Sequence, residues 1–368
     1  MRYPRVKEEH EPYRFDDGTI RIGGELYGTA AEIVDSNGWA WDALSLMDGK
    51  TSVTRIVDDL ASRYTSLGHI GARKVIEKLL DSGYVEDSEV ETPAGLDSHE
   101  VERYSRNHAF FRRVDLRPRV NPWEDQLSLK RARVLLLGVG GVGSHAAWSL
   151  AAAGVGSLHC IDPDAVEESN LTRQVLYVES DIGRPKAEVA VERLSAVNSS
   201  GSFSYEQRMV DTEAELSDLV SGFDVFALCA DEPRQGFIAS LTNRVCADRG
   251  VPWVSAGYNG PMVAVGVYAP TGPCYECIAA GEEERLKPGA QLHLNGTGVL
   301  APLAGIAGQL VAYEVISLIT GIGRLAPGYV RGINLISPDQ HVFVRHPARP
   351  GCELCRPHQQ DSLRSAKP

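Results

Sequence analysis

A glycine-rich junction limits the possible folds of this 368-residue chain more than any other feature. It reads Gly138-Val-Gly140-Gly141-Val-Gly143 and lies between an apolar segment, 133–138, and an alanine-rich one, 144–153. The first is typical of a buried strand and the second of a helix. Glycines at such a junction let the backbone turn tightly, so that amide hydrogens at the helix N-terminus can meet phosphate. The sequence therefore predicts a nucleotide site here.

The alternation of apolar strands and helices continues after the junction. Residues 157–162 and 223–230 are predicted strands, and residues 186–198 are a predicted helix between them. This order is typical of an α/β fold with a doubly wound, Rossmann-like, mostly parallel sheet. Asp162 ends the second strand, where its carboxylate can accept hydrogen bonds from ribose hydroxyls. The glycines and Asp162 do not by themselves distinguish NAD from ATP.

Polar and charged residues accumulate in the connection after Asp162. They are Asp164, Asn170, Arg173, Gln174 and Lys186. Hydride transfer has no need of them, whereas adenylation of a carboxylate does, because an anion must approach the α-phosphate and pyrophosphate must depart. Cations and a metal have to spread that charge, and Arg173 and Lys186 fit this task. The attacking carboxylate is already ionised near neutral pH, so no general base is required.

Asp231 is the candidate ligand for magnesium. It follows the strand 223–230 at the carboxyl edge of the sheet, where ligands gather in open sheets. Its carboxylate could hold Mg²⁺ between the protein and the phosphates. The alternative is a structural role, as the N-cap of a helix ahead of Pro233.

Two C-x-x-C pairs indicate a metal centre. They are Cys274 with Cys277 and Cys352 with Cys355. Four thiolates suffice for a closed tetrahedral zinc site that attaches the C-terminal segment to the rest of the domain. A redox dithiol is the alternative, but two pairs with no open ligand position favour a structural site.

An N-terminal segment of different texture precedes the α/β region. The charged stretch 86–105 separates the two, and we expect a boundary near residue 100, with a small domain over 1–95 and an ATP-binding domain over 100–368. Short alternating runs predict paired strands at 13–15 and 19–23, and a further strand at 83–85. Helical patterns cover 29–46, 52–64 and 70–82. Together they predict a small winged-helix-like α+β domain.

Charge bears on the partner of this small domain. Winged-helix-like domains often bind DNA, but the chain has a formal net charge of −12 and the helices show no basic stripe. Nucleic acid and anionic membranes are therefore poor partners for it. A peptide added as an extra strand is the alternative, because that mode needs an exposed sheet edge rather than positive charge.

The sequence favours a cytoplasmic location. The charged start of the chain lacks the apolar core of a secretory signal. The most apolar stretch, 299–323, contains Pro302, Gln309 and Glu314 and is rich in glycine and alanine. We expect it to form a packed core helix rather than a membrane span.

The segment from Gly138 to Lys186 resembles the ThiF/MoeB branch of the ubiquitin-activating-enzyme superfamily. The motifs that carry the resemblance are Asp162-Pro-Asp164, Ser169-Asn170-Leu-Thr-Arg173-Gln174 and Gly183-Arg-Pro-Lys186, with the later Ala230-Asp231, both cysteine pairs and Ala301-Pro302. The resemblance implies a homodimer that uses Mg-ATP to form acyl-adenylates on a C-terminal carboxylate. It also implies that Arg106, in an opening helix over 102–106, reaches the partner subunit's nucleotide.

Two further features narrow the family assignment. The runs 41–49 and 80–87 resemble the precursor-peptide recognition element of ribosomal-peptide modifying enzymes. Family members that form a thioester carry a cysteine in the loop before Ala301-Pro302, but residues 286–300 contain none. The whole chain therefore resembles the microcin-C-type peptide adenylating enzymes, with Tyr258-Asn259-Gly260 and the 286–300 loop as the expected borders of the substrate pocket.

The leading hypothesis is ATP-dependent adenylation of a ribosomal precursor peptide, captured by a nucleophile other than an enzyme cysteine. One alternative is a non-catalytic scaffold that delivers a leader peptide to a partner cyclodehydratase. The others are a sulfur-carrier-protein adenylyltransferase and an NAD-dependent oxidoreductase. ATP consumption without a partner protein separates the hypothesis from the scaffold, and protection by NAD but not by Mg-ATP identifies the oxidoreductase.

Overall fold

The computed structural model describes residues 1–24, 28–89, 94–119, 121–230, 236–287, 298–323 and 325–355. The chain divides into two compact units, Met1–Leu127 and Ser128–Pro368. The first unit holds two small antiparallel sheets, and the second holds one large mixed sheet.

The first unit combines short strands with helices. Its strands are β1 (Pro4–Val6), β2 (Tyr13–Arg14), β3 (Ile20–Ile22), β4 (Ala31–Ile33) and β5 (Val85–Asp87), and its helices are α1 (Trp39–Leu46), α2 (Val53–Arg63), α3 (Gly68–Leu80), α4 (Ser98–Arg103) and α5 (Ser105–Val114), followed by α6 (Glu124–Arg131) across the division between the units. The sheet orders are β2-β3-β4 and β1-β5. Apolar positions at helical spacing on α1, α2 and α3 pack with β3 into one core.

One predicted helix is wrong at its start. The pattern over 29–46 predicts a single helix, but Ala31–Ile33 forms β4 and pairs antiparallel with β3, so that α1 begins only at Trp39. Pairing along β3 replaces helical hydrogen bonds for this segment. The Asp35 carboxylate then accepts hydrogen bonds from the backbone N–H groups of Ala40 and Trp41, which fixes the beginning of α1.

The compact units divide at residue 127, later than the predicted boundary near residue 100. Ion pairs explain why α5 belongs to the first unit. The Arg112 guanidinium contacts the carboxylates of Glu9 and Glu86 at 3.0 and 2.9 Å, and Lys7 Nζ donates to the backbone oxygen of Asp115 at 3.0 Å. These groups are largely buried, so the contacts tie α5 firmly to β1 and β5. Where the functional domains meet stays a prediction.

The second unit is built on an eight-stranded sheet in the order β13-β12-β11-β10-β9-β6-β7-β8. Its elements are β6 (Arg133–Leu137), α7 (Gly141–Ala153), β7 (Ser157–Ile161), α8 (Lys186–Val197), β8 (Ser202–Glu206), α9 (Glu213–Val220), β9 (Val225–Leu228), α10 (Phe237–Arg249), β10 (Trp253–Asn259), β11 (Met262–Tyr268), α11 (Tyr275–Glu284), α12 (Ala301–Thr320), β12 (Tyr329–Asn334) and β13 (His341–Val344). The strands from β10 to β8 pair in parallel, and those from β10 to β13 pair antiparallel. The predicted mostly parallel α/β sheet is confirmed.

Helix α12 is the core helix predicted from the apolar stretch 299–323. Among the described residues it is the one helix long and apolar enough to cross a membrane, but 56% of its most apolar 18-residue window is buried in the protein. It packs closely against α7, where a side chain at Gly308 would place its Cβ 2.5 Å from the backbone oxygen of Val142. This close packing is typical of a core helix.

Candidate active site and metal centre

The glycine junction forms a tight loop between β6 and α7. Gly138 adopts a left-handed conformation with φ of +90°, and a Cβ atom there would lie 2.6 Å from the backbone nitrogen of Ala230. A Cβ atom at Gly143 would lie 1.8 Å from the backbone oxygen of Gly138. Only glycine fits both positions, and Gly140 and Gly141 at the beginning of α7 line a cavity.

Gly143→Ala should destabilise the second unit by about 3 kcal/mol, because the added methyl group overlaps a backbone oxygen that cannot retreat. Thermal unfolding measures this loss. Gly257→Ala is the matched control, since a Cβ atom there meets nothing within 4 Å and the backbone is not left-handed. Equal melting temperatures for the two variants would contradict the described loop.

A cavity of about 580 Å³ opens at the carboxyl ends of the parallel strands, beside this loop. Of the residues predicted for the nucleotide site, its lining includes Gly138, Gly140, Gly141, Asp162, Asp164, Asn170, Arg173, Gln174 and Lys186. Tyr258, expected to border the substrate, also lines it, and Gly143 lies behind the loop. The sequence reasoning missed Arg208 and Met209, which line the cavity just after β8. Both residues follow β8, which pairs in parallel with β7. This position at the carboxyl edge of the sheet could have predicted them as site residues.

Asp162 holds the glycine loop in place. Its Oδ2 accepts a hydrogen bond from the backbone N–H of Val139 at 2.7 Å, and its Oδ1 accepts one from Asp164 at 2.9 Å. Burial raises the pKa of Asp162, and these two bonds act in the opposite direction. A carboxylate has about four acceptor positions, so each oxygen can still accept a hydroxyl from a ribose.

Two predicted cations, Lys186 and Arg173, line the cavity together with Arg208. Lys186, at the beginning of α8, places its Nζ 2.8 Å from Asp164 Oδ2, and its side chain is only 8% exposed whereas that of Asp164 is 62% exposed. Arg173 donates from Nη1 to the backbone oxygen of Ser169 at 3.0 Å. This hydrogen bond uses one of the five N–H groups of the Arg173 guanidinium. A polyanion in the cavity would lie near the positive charges of Arg173 and Lys186.

The two amide side chains predicted for the site have different environments. Asn170 Oδ1 accepts from the backbone N–H of Glu167 at 3.1 Å and closes the turn that carries Arg173. Gln174 Oε1 is buried and, among the described residues, has no hydrogen-bond partner. A buried acceptor without a partner is costly, so the Gln174 amide is well suited to bind a ligand in this cavity.

Tyr177 is a structural contributor that the sequence analysis missed. Its buried hydroxyl donates to the backbone oxygen of Val139 at 2.8 Å and lies 3.2 Å from the backbone oxygen of Lys186. It thus connects the glycine loop to the helix that carries the cavity lysine. No local pattern in the sequence indicates this bond, because it joins segments 38 residues apart.

Besides Gly143, two predicted site residues are not part of the described cavity. Asp231, the candidate magnesium ligand, lies outside the described residues, as do residues 288–297 of the loop before α12. Arg106 is an exposed residue of α5 in the first unit. Their roles stay predictions.

The four predicted cysteines form a compact cluster. Their sulfur atoms all lie within 4.8 Å of one another, with Cys274 to Cys352 at 3.8 Å and Cys277 to Cys355 at 3.9 Å. A zinc–thiolate tetrahedron with bonds of about 2.3 Å has sulfur–sulfur edges of about 3.8 Å. The cluster therefore has the donor set and spacing of a closed tetrahedral metal site, and the backbone N–H of Arg349 donates to Cys277 Sγ at 3.3 Å.

Comparisons with known proteins agree with this geometry. The model of the ThiF family matches residues 104–354. The molybdopterin-synthase adenylyltransferase of Escherichia coli K12 is 33% identical over 265 residues, covering 71% of this chain and 99% of that protein. The SAMP-activating enzyme E1 of Haloferax volcanii is 32% identical over 268 residues, covering 73% of this chain and 93% of that protein.

Solved structures share the fold over nearly the whole chain. Escherichia coli MccB with AMPCPP and MccA superposes with a TM-score of 0.71 at 24% identity, covering 96% of this chain and 99% of that chain. PaaA superposes with a TM-score of 0.66 at 25% identity, covering 92% and 98%. With the family match over two thirds of its length and an adenylyltransferase aligned from end to end, this chain belongs to the ThiF family and is an ATP-dependent adenylyltransferase.

Proposed function

We propose that this adenylyltransferase activates a carboxylate of a ribosomally made peptide, most simply its C-terminal carboxylate, in the biosynthesis of a peptide natural product. A carboxylate oxygen of the peptide attacks the α-phosphorus of ATP. The new bond joins carboxylate oxygen and phosphorus, the α–β phosphoanhydride breaks, and pyrophosphate leaves. A nucleophile other than an enzyme cysteine then attacks the acyl carbon, the bond between this carbon and the phosphate oxygen breaks, and AMP leaves.

The cavity residues supply what this reaction needs. The backbone amides of the glycine loop and α7 face phosphate, Asp162 accepts from the ribose, and Gln174 provides a buried acceptor. Arg173 and Lys186 stabilise the negative charge that shifts toward pyrophosphate. Magnesium, when bound, neutralises phosphate charge, and Asp231 is the residue proposed to hold it. Asp164 positions Lys186 through their ion pair.

The observation that carries the peptide assignment lies in the first unit. Strand β4 is an edge strand, and beside it an apolar groove of about 380 Å³ lies between β4 and α3. Ile33, Val34, Val75 and Leu79 are among its lining residues, and Lys78 is also at its border. An extended peptide could hydrogen-bond to the β4 edge and place an apolar side chain in the groove.

The comparisons favour a peptide over a sulfur-carrier protein in one respect. The family match begins at residue 104, so it leaves residues 1–103 of the first unit outside, and the Escherichia coli relative covers 71% of the chain. MccB, solved with the peptide MccA, covers 96% of it. The first unit is thus shared in fold with an enzyme crystallised with a peptide.

The absence of a cysteine in residues 286–300 supports capture without an enzyme thioester. Cys160 and Cys246 are buried, and burial raises the pKa of Cys160 to about 12. Neither is suited to be a thiolate nucleophile at neutral pH. Cys229 packs against the glycine loop, since a Cβ atom added at Gly143 would lie 3.2 Å from the Cβ atom of Cys229.

The proposal includes the assembly and the metal. We expect a cytoplasmic homodimer in which Arg106 of one subunit contributes to the nucleotide site of its partner, as the family resemblance implies. The cysteine cluster is proposed to hold zinc, with a structural role, because its four thiolates leave no open coordination position.

Val34→Glu should weaken peptide binding at least about tenfold, since a charge at the groove mouth disfavours an apolar side chain by about 1.4 kcal/mol or more. Val34 is 82% exposed, so the substitution should leave the fold intact. Ile70→Glu is the matched control, because Ile70 is 77% exposed on α3 of the same unit and does not line the groove. Fluorescence anisotropy with a labelled candidate precursor peptide measures the difference. Equal affinities for the two variants would contradict the groove assignment.

Activation of a sulfur-carrier protein is the second candidate, since the relatives at 32–33% identity include a molybdopterin-synthase adenylyltransferase and a SAMP-activating enzyme. The two candidates share the same nucleotide chemistry and differ in the carboxylate used. Pyrophosphate release with a sulfur-carrier protein and none with the peptide would favour the second.

A further inference from the structure

The side chain of Asn243 lies next to the cysteine cluster. Asn243 belongs to α10 and is 2% exposed. Its Oδ1 accepts the backbone N–H of Tyr275 at 3.0 Å, and Tyr275 directly follows Cys274 at the beginning of α11. This bond fixes the orientation of the carboxamide, because the acceptor side of the group faces the helix N-terminus.

The donor side of the same carboxamide lacks a full hydrogen bond. Asn243 Nδ2 is buried and, within the part of the chain that the structure describes, has no hydrogen-bond partner. Burying an N–H donor without an acceptor is unfavourable, so such a group calls for an explanation. Asn243 and Cys274 line the same small cavity, so the carboxamide and the thiol are neighbours there.

We propose that Asn243 Nδ2 donates a hydrogen bond to the sulfur of Cys274 when that cysteine binds a metal ion as thiolate, which makes Asn243 a positioning residue for the metal centre. A neutral thiol is a weak acceptor, whereas a metal-bound thiolate carries negative charge and accepts well. The proposal explains why a donor is buried at this place without a partner.

The neighbouring ligand shows the same arrangement with a backbone donor. Cys277 Sγ already accepts from the N–H of Arg349 at 3.3 Å. With the proposed bond, each cysteine of the first pair would accept from one N–H group, that of Asn243 for Cys274 and that of Arg349 for Cys277. Because α10 packs in the main core through Leu241 and Val245, Asn243 connects the metal centre to the rigid body of the second unit.

The test compares Asn243→Asp with Thr242→Val. Aspartate has the shape of asparagine and keeps the acceptor for Tyr275, but it replaces the donor by an oxygen that repels a thiolate. Thr242→Val is the matched control, because Thr242 is the adjacent residue of α10, is fully buried and also has a hydroxyl without a partner among the described residues. Asn243→Ser is a second variant without the added charge, in case the aspartate variant does not fold.

The measurement is the rate of zinc release from purified protein to a colorimetric chelator, with the cobalt-substituted protein as a second readout. Asn243→Asp and Asn243→Ser should release zinc about 10–100-fold faster than wild type, since groups that support a metal ligand typically have effects of this size. Their thiolate-to-cobalt charge-transfer bands should also shift, while Thr242→Val should match wild type in both readouts.

The inference rests on the proposed zinc site, and the two can fail separately. Wild-type protein that contains no zinc and takes up no cobalt would overturn the metal site and the role of Asn243 with it. Bound zinc whose release rate and cobalt spectrum are unchanged in both Asn243 variants would overturn the role of Asn243 alone.

Discussion

Lys186→Ala and Arg173→Ala should each lower kcat/KM for adenylate formation by about 10²–10³-fold, the usual effect of removing one group that stabilises charge in a transition state. Both side chains line the 580 Å³ cavity beside the glycine loop. The loss should not come from unfolding. The Lys186 substitution removes the ion-pair partner of Asp164. The Asp164 side chain is 62% exposed, so its carboxylate stays hydrated.

Pyrophosphate release in the presence of peptide measures this loss, and the melting temperature checks the fold. Arg249→Ala is the control, since this exposed arginine of the same unit contacts Ser217 and does not line the cavity. It should retain wild-type turnover. The peptide should still bind to the Lys186 and Arg173 variants through the first unit. Unchanged turnover in both variants would refute the assignment of this cavity.

Loss of the metal from the cysteine cluster should have the largest effect on stability. Structural zinc sites bind the metal with a free energy of about 10–16 kcal/mol near pH 7. We expect about a third of this binding free energy, roughly 4 kcal/mol, to stabilise the folded protein. Loss of the metal should then lower Tm by roughly 8–16 °C. We expect this shift on chelation and in Cys355→Ser. The segment that carries Cys352 and Cys355 should then detach from α11, since the cluster joins them.

Elemental analysis and thermal unfolding provide the check. Wild type should contain about one zinc per chain, as expected for a closed four-thiolate site. Cys246→Ala is the control, because Cys246 is buried in the main core outside the cluster, and its zinc content should equal that of wild type. Far less than one metal per wild-type chain, with a melting temperature insensitive to chelators, would rule out the zinc site.

Much of the cavity proposed as the nucleotide site could be predicted from the sequence, because its lining residues follow strands in chain order. Gly138 follows β6 and Asp162 follows β7, and parallel neighbours bring both to the same sheet edge. Arg173 and Lys186 lie in the connection after Asp162, so the structure finds them lining the same cavity. The cysteine cluster was equally predictable, since C-x-x-C pairs are a local pattern with a known geometry.

The remaining features depend on contacts between distant segments. The residues at 31–33 have a helical pattern, but pairing with β3 makes them a strand. The Tyr177 hydroxyl hydrogen-bonds to Val139, 38 positions away, and the Asn243 carboxamide hydrogen-bonds to Tyr275, 32 positions away. No periodic pattern in the sequence indicates either hydrogen bond. The antiparallel part of the sheet, from β10 to β13, likewise follows from long-range pairing that the sequence analysis did not specify.

Intact-mass analysis of a peptide substrate tests whether this ThiF-family adenylyltransferase acts on a peptide. The purified protein is incubated with Mg-ATP and a candidate precursor peptide, and pyrophosphate release is followed in parallel. We predict pyrophosphate release together with a mass gain of AMP, or a loss of water, on the peptide, and neither with Lys186→Ala. An unchanged peptide mass with no pyrophosphate, while the peptide remains bound to the protein, would contradict the claim.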